Sequence, residues 1–261
     1  MKTIKSKDNS TYKSAVKLTK KKYRDETGMY LLEGIKPLED AIAMGIEVKT
    51  IFVSEGVSVP DNFPEELCMM LEKKLFANLS DTDTSQGVVA VVRKDLCSFE
   101  AFAEAASEGA GNVVILDRLQ DPGNIGTIIR TAEAAGYKGI ITISGTADVY
   151  SPKVVRAAAG SLFRMNVIGA VNAEDAAQMV SKMGKKLTVT CLENAENCFE
   201  ADLTEDIALV IGNEGRGVSE RLMELSDIRV SIPMAGSIES LNAAVAAGIL
   251  MYQSQKKNYE R

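Results

Sequence analysis

The chain has 261 residues, of which 46% are hydrophobic and 25% are charged, and its net charge is −6. This composition is typical of one large or two ordinary soluble domains. The sequence has no histidine, no CxxC pair among its four cysteines and no run of 18 apolar residues. These absences exclude Ser-His-Asp and Cys-His enzymes and argue against a zinc site and a membrane-spanning helix. The N-terminus, Met1-Lys2-Thr3-Ile4-Lys5, lacks the apolar segment of a secretory signal. We therefore expect free thiols, no metal, no membrane contact and a cytoplasmic location.

The charge is distributed unevenly. Residues 1–24 contain nine Lys or Arg residues and one acid, whereas the whole chain is acidic. A basic arm on an acidic body is typical of proteins that bind a nucleic-acid backbone. The alternative is a solvated or disordered basic tail without a partner.

The N-terminal part predicts a small α/β unit, which we expect over residues 1–95. In chain order we expect a helix (10–22), a strand (29–33), a helix (36–44), a strand (48–54), a helix that runs through Leu67 and Leu71 to Lys73, and two further segments (75–77 and 88–93) that complete the unit. Residues 96–111 predict a helical connector that ends at Gly109-Ala110-Gly111.

A second domain is expected over residues 112–261. The pattern predicts strands over 113–116, 139–144, 187–191, 207–211 and 228–232, and helices over 125–135, 152–160 and from Ser240-Leu241-Asn242 onward. Strands that alternate with helices in this way indicate a mostly parallel sheet with helices on both faces.

Three loops at predicted strand ends carry glycine and polar residues, namely residues 117–126, 212–217 and 232–242. In α/β folds ligands bind at such strand ends. The first loop has GxxG rather than GxGxxG spacing, and no acid ends the following strand, so a dinucleotide site is disfavoured. The alternative for its glycines is close packing of helix on strand.

Arg130 follows the first loop on a helix that is otherwise apolar or small, so we expect it to face a polar site rather than bulk water. Its alternative role is a structural ion pair. Glu214 is the only acid of the second loop, and a partly buried carboxylate needs a cation. We therefore expect Glu214 to pair with Arg130. At the third loop, Ser240 and Asn242 begin a helix whose free N–H groups can bind a ligand.

Taken in order, three motifs closely resemble the signature motifs of the SpoU (TrmH-like) branch of the SPOUT RNA 2′-O-methyltransferases. The motifs are Asn124-x-Gly126-x-x-x-Arg130-Thr131-Ala132, Gly212-Asn213-Glu214-Gly215-Arg216-Gly217, and Ile232-Pro233-Met234-x-Gly236-x-x-x-Ser240-Leu241-Asn242-x-x-x-Ala246. Ser151-Pro152-Lys153 and Ala159–Arg164 are similar to the segment that links the first two motifs. Tyr30–Gly34 is more loosely similar to the substrate-binding domain of the ribosomal RNA-modifying members.

The resemblance implies an α/β fold with a mostly parallel sheet, a C-terminal trefoil knot and a small N-terminal α/β substrate-binding domain. It also implies a homodimer with S-adenosylmethionine as the methyl donor and no metal. The donor site carried over to this sequence consists of Gly212, Asn213, Gly215, Ile232, Met234, Leu241 and Asn242.

The implied reaction is methylation of a ribose 2′-hydroxyl. The implied catalytic set is Arg130, Asn124, Glu214, Ser240 and Asn242. Free guanidinium is always protonated, so we expect Arg130 to orient the hydroxyl and an adjacent phosphate, Glu214 to hold Arg130, and Asn124 to place the nucleotide. Ser240 and Asn242 are expected to hold the third loop.

The N-terminal domain favours RNA of the 23S ribosomal type as the substrate. The residues expected to contact RNA are Lys13, Lys20, Lys21, Lys22, Arg24, Arg156 and Arg164. Two alternatives remain, a transfer RNA ribose methyltransferase and a catalytically silent RNA-binding or ribosome-associated protein.

Overall fold

The computed structural model describes residues 1–82, 84–95, 97–107, 111–192, 194–204 and 206–259, with residues 258 and 259 described by their backbone only. The described residues form two compact units. The first consists of Met1–Asp95 and Asp148–Phe163, and the second of the remaining described residues. Segment 148–163 therefore belongs by its contacts to the first unit. The limits expected from the sequence, 1–95, 96–111 and 112–261, do not anticipate this and stay a prediction. The expected connector end at Gly109 and Ala110 lies outside the described residues.

The first unit is built on a mixed sheet. Its elements in chain order are β1 (Lys2–Ile4), α1 (Ser10–Lys17), α2 (Lys21–Thr27), β2 (Met29–Glu33), α3 (Ile35–Ala43), β3 (Val48–Ser54), β4 (Cys68–Leu71), α4 (Lys73–Phe76) and β5 (Val88–Arg93). Within the described residues the strand order is β1-β4-β3-β5-β2. Strand β4 pairs in parallel with β1 and β3, and β5 runs antiparallel to both of its neighbours, β3 and β2.

The helix expected through Leu67, Leu71 and Lys73 is wrong. A single 3-10 turn at Glu65–Leu67 leads into strand β4, and the next segment is helical. Strand β4 pairs with strands on both sides, and its end residues Cys68 and Leu71 are buried. A short apolar run fits helix and strand equally well, so the neighbouring strands decide its conformation.

The basic arm is folded, which rules out a disordered tail. The expected helix over 10–22 is two helices, because α1 ends at Lys17 and α2 starts at Lys21. Tyr12, Ala15 and Leu18 are buried in the core of the small unit, and the Tyr12 hydroxyl donates to the Leu75 carbonyl at 3.0 Å. Lys13, Lys20, Lys21 and Lys22 are exposed, so the arm is a structured basic surface.

Arg24 is an exception among the residues expected to contact RNA. Only 3% of it is exposed, and its guanidinium binds Asp148 at 2.7 Å and the Leu18 carbonyl at 2.7 Å. Tyr150 packs beside Tyr30 with the ring centroids 5.1 Å apart. The buried pair therefore attaches segment 148–163 to the small unit and cannot face a phosphate. Removing one partner of such a pair typically costs about 3–5 kcal/mol of stability.

The second unit contains the larger sheet. From residue 97 onward the elements are α5 (Phe99–Ala105), β6 (Val113–Asp117), α6 (Pro122–Ala134), β7 (Gly139–Ile143), α7 (Pro152–Ala157, in the first unit), β8 (Asn166–Ala170), α8 (Ala173–Lys182), β9 (Lys186–Thr190), β10 (Glu196–Asn197), β11 (Ile207–Gly212), α9 (Glu220–Leu225), β12 (Ile228–Ser231), α10 (Ala243–Ser254) and α11 (Lys256–Tyr259).

The expected parallel sheet is confirmed. Within the described residues seven strands run in the order β10-β12-β9-β11-β6-β7-β8, and each pair is parallel. Central strands β6 and β11 are buried along their whole length, as expected for strands covered on both faces. The sequence pattern missed β8, α8, β10 and α9. The trefoil knot stays a prediction.

The described residues contain neither a candidate membrane span nor a candidate metal site. No helix among them is long and apolar enough to span a bilayer. No group of three or more Cys, Asp or Glu side chains among them is arranged to hold a metal ion.

Candidate ligand site at the carboxyl end of the large sheet

The three glycine-bearing loops meet because of how the sheet pairs. Strands β6 and β11 are parallel neighbours, with Leu116 opposite Ile211 and Asp117 opposite Gly212. The loops that follow these strands, residues 118–121 and 213–217, therefore start at the same edge of the sheet. Helix α10 packs against α6, which brings the third loop to the same place.

A cavity of about 680 Å³ lies between the second and third loops. It is within the usual range for small-molecule sites, about 300–1,000 Å³. All seven residues of the expected donor site line it, as do Glu214 and Ser240. Apolar side chains, among them Ile211 and Leu250, form part of its wall. The structure thus brings these residues together, while their roles remain predictions.

One chain of side-chain hydrogen bonds joins the three loops. Asn242 caps the N-terminus of α10 by accepting from the backbone of Ala244 at 2.9 Å, and its Nδ2 donates to Oδ1 of Asn124 at 2.9 Å. Asn124 in turn donates from Nδ2 to Oε1 of Glu214 at 3.2 Å. A residue from each loop is thereby fixed relative to the other two.

Glu214 also receives backbone hydrogen bonds from the first loop. The N–H groups of Gln120 and Asp121 donate to its carboxylate at 3.2 and 3.0 Å. Partial burial raises the pKa of the Glu214 carboxyl, but the hydrogen bonds from the backbone and Asn124 outweigh this effect and hold the pKa below its usual value. Glu214 is therefore an anion at neutral pH.

The prediction that Glu214 pairs with Arg130 is wrong within one chain. Among the described residues, the partners of Glu214 are N–H groups, and Arg130 lies exposed on α6 without an ion pair and outside the cavity lining. The physical reason is helix geometry. Glu214 contacts the residues just before α6 and its first turn, whereas Arg130 lies nearly two turns further along.

Asn213 shapes the second loop from within. Its Oδ1 accepts from the backbone N–H groups of Gly215 and Arg216, each at 3.1 Å, and its Nδ2 donates to the Arg118 carbonyl at 2.8 Å. Backbone hydrogen bonds between Asn213 and Gly217 close the turn. The side chain and the backbone N–H and C=O groups of Asn213 are thus all used inside the loop, so this residue serves to set the shape of the loop.

Gly212 and Gly215 are glycines for different reasons. A Cβ on Gly212 would lie 2.2 Å from the Val218 backbone nitrogen and 2.3 Å from the Gly217 carbonyl carbon. A Cβ on Gly215 would meet only Asn213 Oδ1, at 3.8 Å. Gly212 therefore allows the loop to fold back on its own strand, whereas the chain itself does not require a glycine at 215.

Sequence reasoning missed Asp117 and Arg118. Asp117 is buried at the end of β6, where its carboxylate accepts from the Ser219 backbone at 2.7 Å and from Arg118 Nε at 3.0 Å. Arg118 adopts a positive φ of 58°, a strained conformation for a side chain of this size. Its carbonyl then accepts from Asn213. The position of Asp117 directly after the predicted buried strand 113–116 was the sequence signal that could have identified it.

The remaining basic residues expected at RNA lie elsewhere. Arg156 pairs with Asp81 at 3.2 Å inside the first unit, and Arg164 pairs with Glu133 at 2.8 Å inside the second. Lys13 pairs with Asp8 at 2.7 Å on the surface. Exposed pairs of this kind contribute little to stability, so a phosphate can displace the acids.

Two family models match the chain. The SpoU rRNA Methylase family matches residues 111–252, and the MRM3-like substrate binding domain matches residues 9–90.

Individual relatives cover nearly the whole length. The 23S rRNA (guanosine(2553)-2′-O)-methyltransferase RlmP of Bacillus subtilis is 36% identical over 97% of this chain and 98% of its own. The 23S rRNA (uridine(2479)-2′-O)-methyltransferase of Streptomyces viridochromogenes is 32% identical over 90% of this chain and 85% of its own. The crystal structure of an AdoMet-bound rRNA methyltransferase from Sinorhizobium meliloti matches with a TM-score of 0.86 and 32% identity over 98% of both chains.

The two glycines give a matched pair of stability predictions. Gly212→Ala should lower the free energy of unfolding by about 2 kcal/mol or more, since the new methyl group overlaps backbone. Gly215→Ala should change it by no more than about 0.5 kcal/mol, as for other surface changes. Urea unfolding followed by circular dichroism measures both. Equal destabilisation by the two variants would contradict the conclusion that only Gly212 is required by the fold.

Proposed function

The chain belongs to the SpoU rRNA methylase family, and from this premise we propose that it transfers a methyl group from S-adenosylmethionine to a ribose 2′-hydroxyl of 23S ribosomal RNA. The observation that carries the proposal is the hydrogen-bonded junction of Asn124, Glu214 and Asn242 beside a cavity of suitable size. Two relatives that match most of the chain are named for this reaction on 23S rRNA. A ribosomal RNA substrate implies a cytoplasmic enzyme.

The residues of the cavity fit the donor. The apolar wall suits an adenosine ring and a thioether chain, and backbone groups of the second and third loops are available for polar contacts. The open space over Gly215 allows a ligand to approach the backbone closely. We assign donor binding to Gly212, Asn213, Gly215, Ile232, Met234, Leu241 and Asn242, the first two chiefly through the shape that they give the loop.

When bound, the donor supplies an electrophilic methyl group. Asn124, held between Glu214 and Asn242, places the nucleotide with its amide in a defined orientation. Ser240 and Asn242 hold the third loop at the start of α10. The Arg130 guanidinium, which is a cation rather than a base, orients the 2′-hydroxyl and neutralises an adjacent phosphate, and the hydroxyl proton passes to solvent water as the oxygen attacks the methyl carbon. Rate acceleration then comes mainly from alignment of the nucleophile with the methyl carbon.

We further propose that the protein is a homodimer through the outer face of α6 and α10. Helix α10 is apolar on all sides, although Val245 is 52% exposed and Tyr252 is 48% exposed. Helices of this kind are normally buried. Arg130 and Thr127 are exposed on the neighbouring helix α6, so a second copy on this face would place Arg130 at the subunit interface.

Arg130→Ala should reduce methyl transfer by about a thousandfold or more, as loss of a key transition-state interaction does. Donor affinity and melting temperature should stay near those of the wild type, because the side chain is exposed and unpaired among the described residues. Arg130→Lys should not restore the rate, since lysine lacks the planar fork. Tritium transfer to 23S rRNA measures the rate.

Arg221→Ala is the matched control, because it removes an arginine whose partners Glu174 and Glu224 lie at the surface of the same unit. It should retain the wild-type rate. An Arg130→Ala enzyme with half the wild-type rate would exclude this residue from the mechanism. A wild-type chain that binds donor and RNA but never transfers a methyl group would favour a catalytically silent RNA-binding protein. Methylation of transfer RNA alone would favour a transfer RNA ribose methyltransferase.

The basic surface should contribute sequence-independent RNA affinity. Replacing Lys20, Lys21 and Lys22 with alanine should weaken binding to all RNA sequences alike. The plot of log K against log salt should become shallower, by roughly 0.7 to 0.9 for each phosphate that is no longer neutralised. Filter binding at several salt concentrations measures this, and donor affinity serves as the control. Identical slopes for variant and wild type would move RNA capture to Arg156 and Arg164.

The dimer proposal can be tested with two matched valines. Val245→Asp should convert the dimer to a monomer at micromolar concentration, because it buries a charge in the interface. The new acid lies in the first turn of α10, where it favours the helix, so the fold should persist. Val171→Asp, at a site that is 72% exposed elsewhere in the unit, should remain dimeric. Sedimentation velocity decides, and a monomeric wild type would contradict the proposal.

A further inference from the structure

The cavity carries two charges that neither the loop junction nor the proposed chemistry uses. Arg216 lies in the second loop and Glu239 in the third, and both are exposed residues of the lining. Among the described residues that line the cavity, Arg216 is the single cation. Within the described part of the chain, neither side chain forms an ion pair with another residue.

The backbone of Arg216 is held in place, whereas its guanidinium group has no partner among the described residues. Its backbone N–H donates to Asn213 Oδ1 at 3.1 Å, and the pairing of Asn213 with Gly217 closes the turn around it. Two other surface arginines of this unit, Arg221 and Arg164, are instead held by acids. Arg221 binds Glu174 at 2.7 Å and Glu224 at 2.8 Å, and Arg164 binds Glu133 at 2.8 Å. The Arg216 guanidinium is therefore presented to the cavity without an internal partner.

The charges of the cavity complement those of the donor. At neutral pH, the amino-acid end of S-adenosylmethionine has an ammonium group and a carboxylate, and its sulfonium adds a further positive charge. The cavity offers one guanidinium and two carboxylates, of Glu214 and Glu239. Glu214 already accepts hydrogen bonds from the first loop and Asn124. Arg216 and Glu239 remain as one cation and one anion for a zwitterion.

We propose that Arg216 binds the carboxylate of the methionine part of S-adenosylmethionine and that Glu239 binds its ammonium group. A guanidinium matches a carboxylate with two parallel hydrogen bonds, which gives orientation as well as affinity. This assignment rests on the proposed function. It adds a device that fixes the amino-acid end of the donor and so restricts the direction in which the methyl group faces.

The test is calorimetric titration of the full chain with three ligands. S-adenosylmethionine and S-adenosylhomocysteine both have the amino-acid end, and only the first has the sulfonium charge. 5′-Methylthioadenosine has neither. Arg216→Gln should weaken binding of the first two by about tenfold, the scale of one charge-assisted hydrogen bond, and should change binding of 5′-methylthioadenosine by less than about twofold. Glu239→Gln should show the same selectivity.

The matched control is Arg221→Gln, which removes the same charge outside the cavity lining and should bind all three ligands as the wild type does. The melting temperature of Arg216→Gln should be unchanged. Equal weakening of all three ligands would overturn the assignment, since Arg216 would then act on loop shape. Unchanged donor binding with weaker RNA binding would also overturn it and make Arg216 an RNA contact. If the wild-type chain binds none of the three ligands, both the proposed function and this assignment are overturned. If Arg216→Gln and Glu239→Gln both bind the ligands as the wild type does, only the assignment is overturned.

Discussion

The site depends on one carboxylate that stays charged. Glu214 accepts hydrogen bonds from two backbone N–H groups of the first loop and from Asn124, which is bound by Asn242 of the third loop. Replacing any acceptor in this chain would leave a donor unsatisfied, and such a loss costs more than one net hydrogen bond is worth. The carboxylate therefore acts as the junction from which the three loops take their relative positions.

The backbone beneath this junction is built for close approach. Buried Asp117 holds the segment after the second loop through the Ser219 N–H group, and Gly212 lets that loop return against its own strand. Arg118 tolerates a left-handed conformation, which aims its carbonyl at Asn213. Strain at such positions persists only where the surroundings impose it. Loop shape is thus set by groups beneath the cavity, and the exposed side chains of Arg216 and Glu239 in its lining are left for ligands.

Much of this organisation follows from local sequence. Continuous apolar runs predicted the buried strands β6 and β11, and the Ser151-Pro152 pair predicted where α7 begins. Helix α6 begins at Pro122, earlier than the expected start at residue 125. The parallel sheet then implied that the glycine-bearing loops would share one edge. Strand β8 escaped prediction because its sequence, Asn166–Ala170, has only two β-branched apolar residues, Val167 and Ile168, and it lies at the edge of the sheet.

The sequence by itself determined the class of fold and the three loops, because period and turn chemistry are local properties. The residues that gather in the cavity were implied by the resemblance of the three motifs to the SpoU family. Tertiary structure decided the partners. It gave Glu214 backbone N–H groups instead of Arg130, buried Arg24 against Asp148, and made β4 a strand between two neighbours. These outcomes depend on which distant groups compete for the same donor, acceptor or strand edge. No local pattern encodes that competition, since it is settled only when the sheets bring residues distant in the chain within hydrogen-bonding distance.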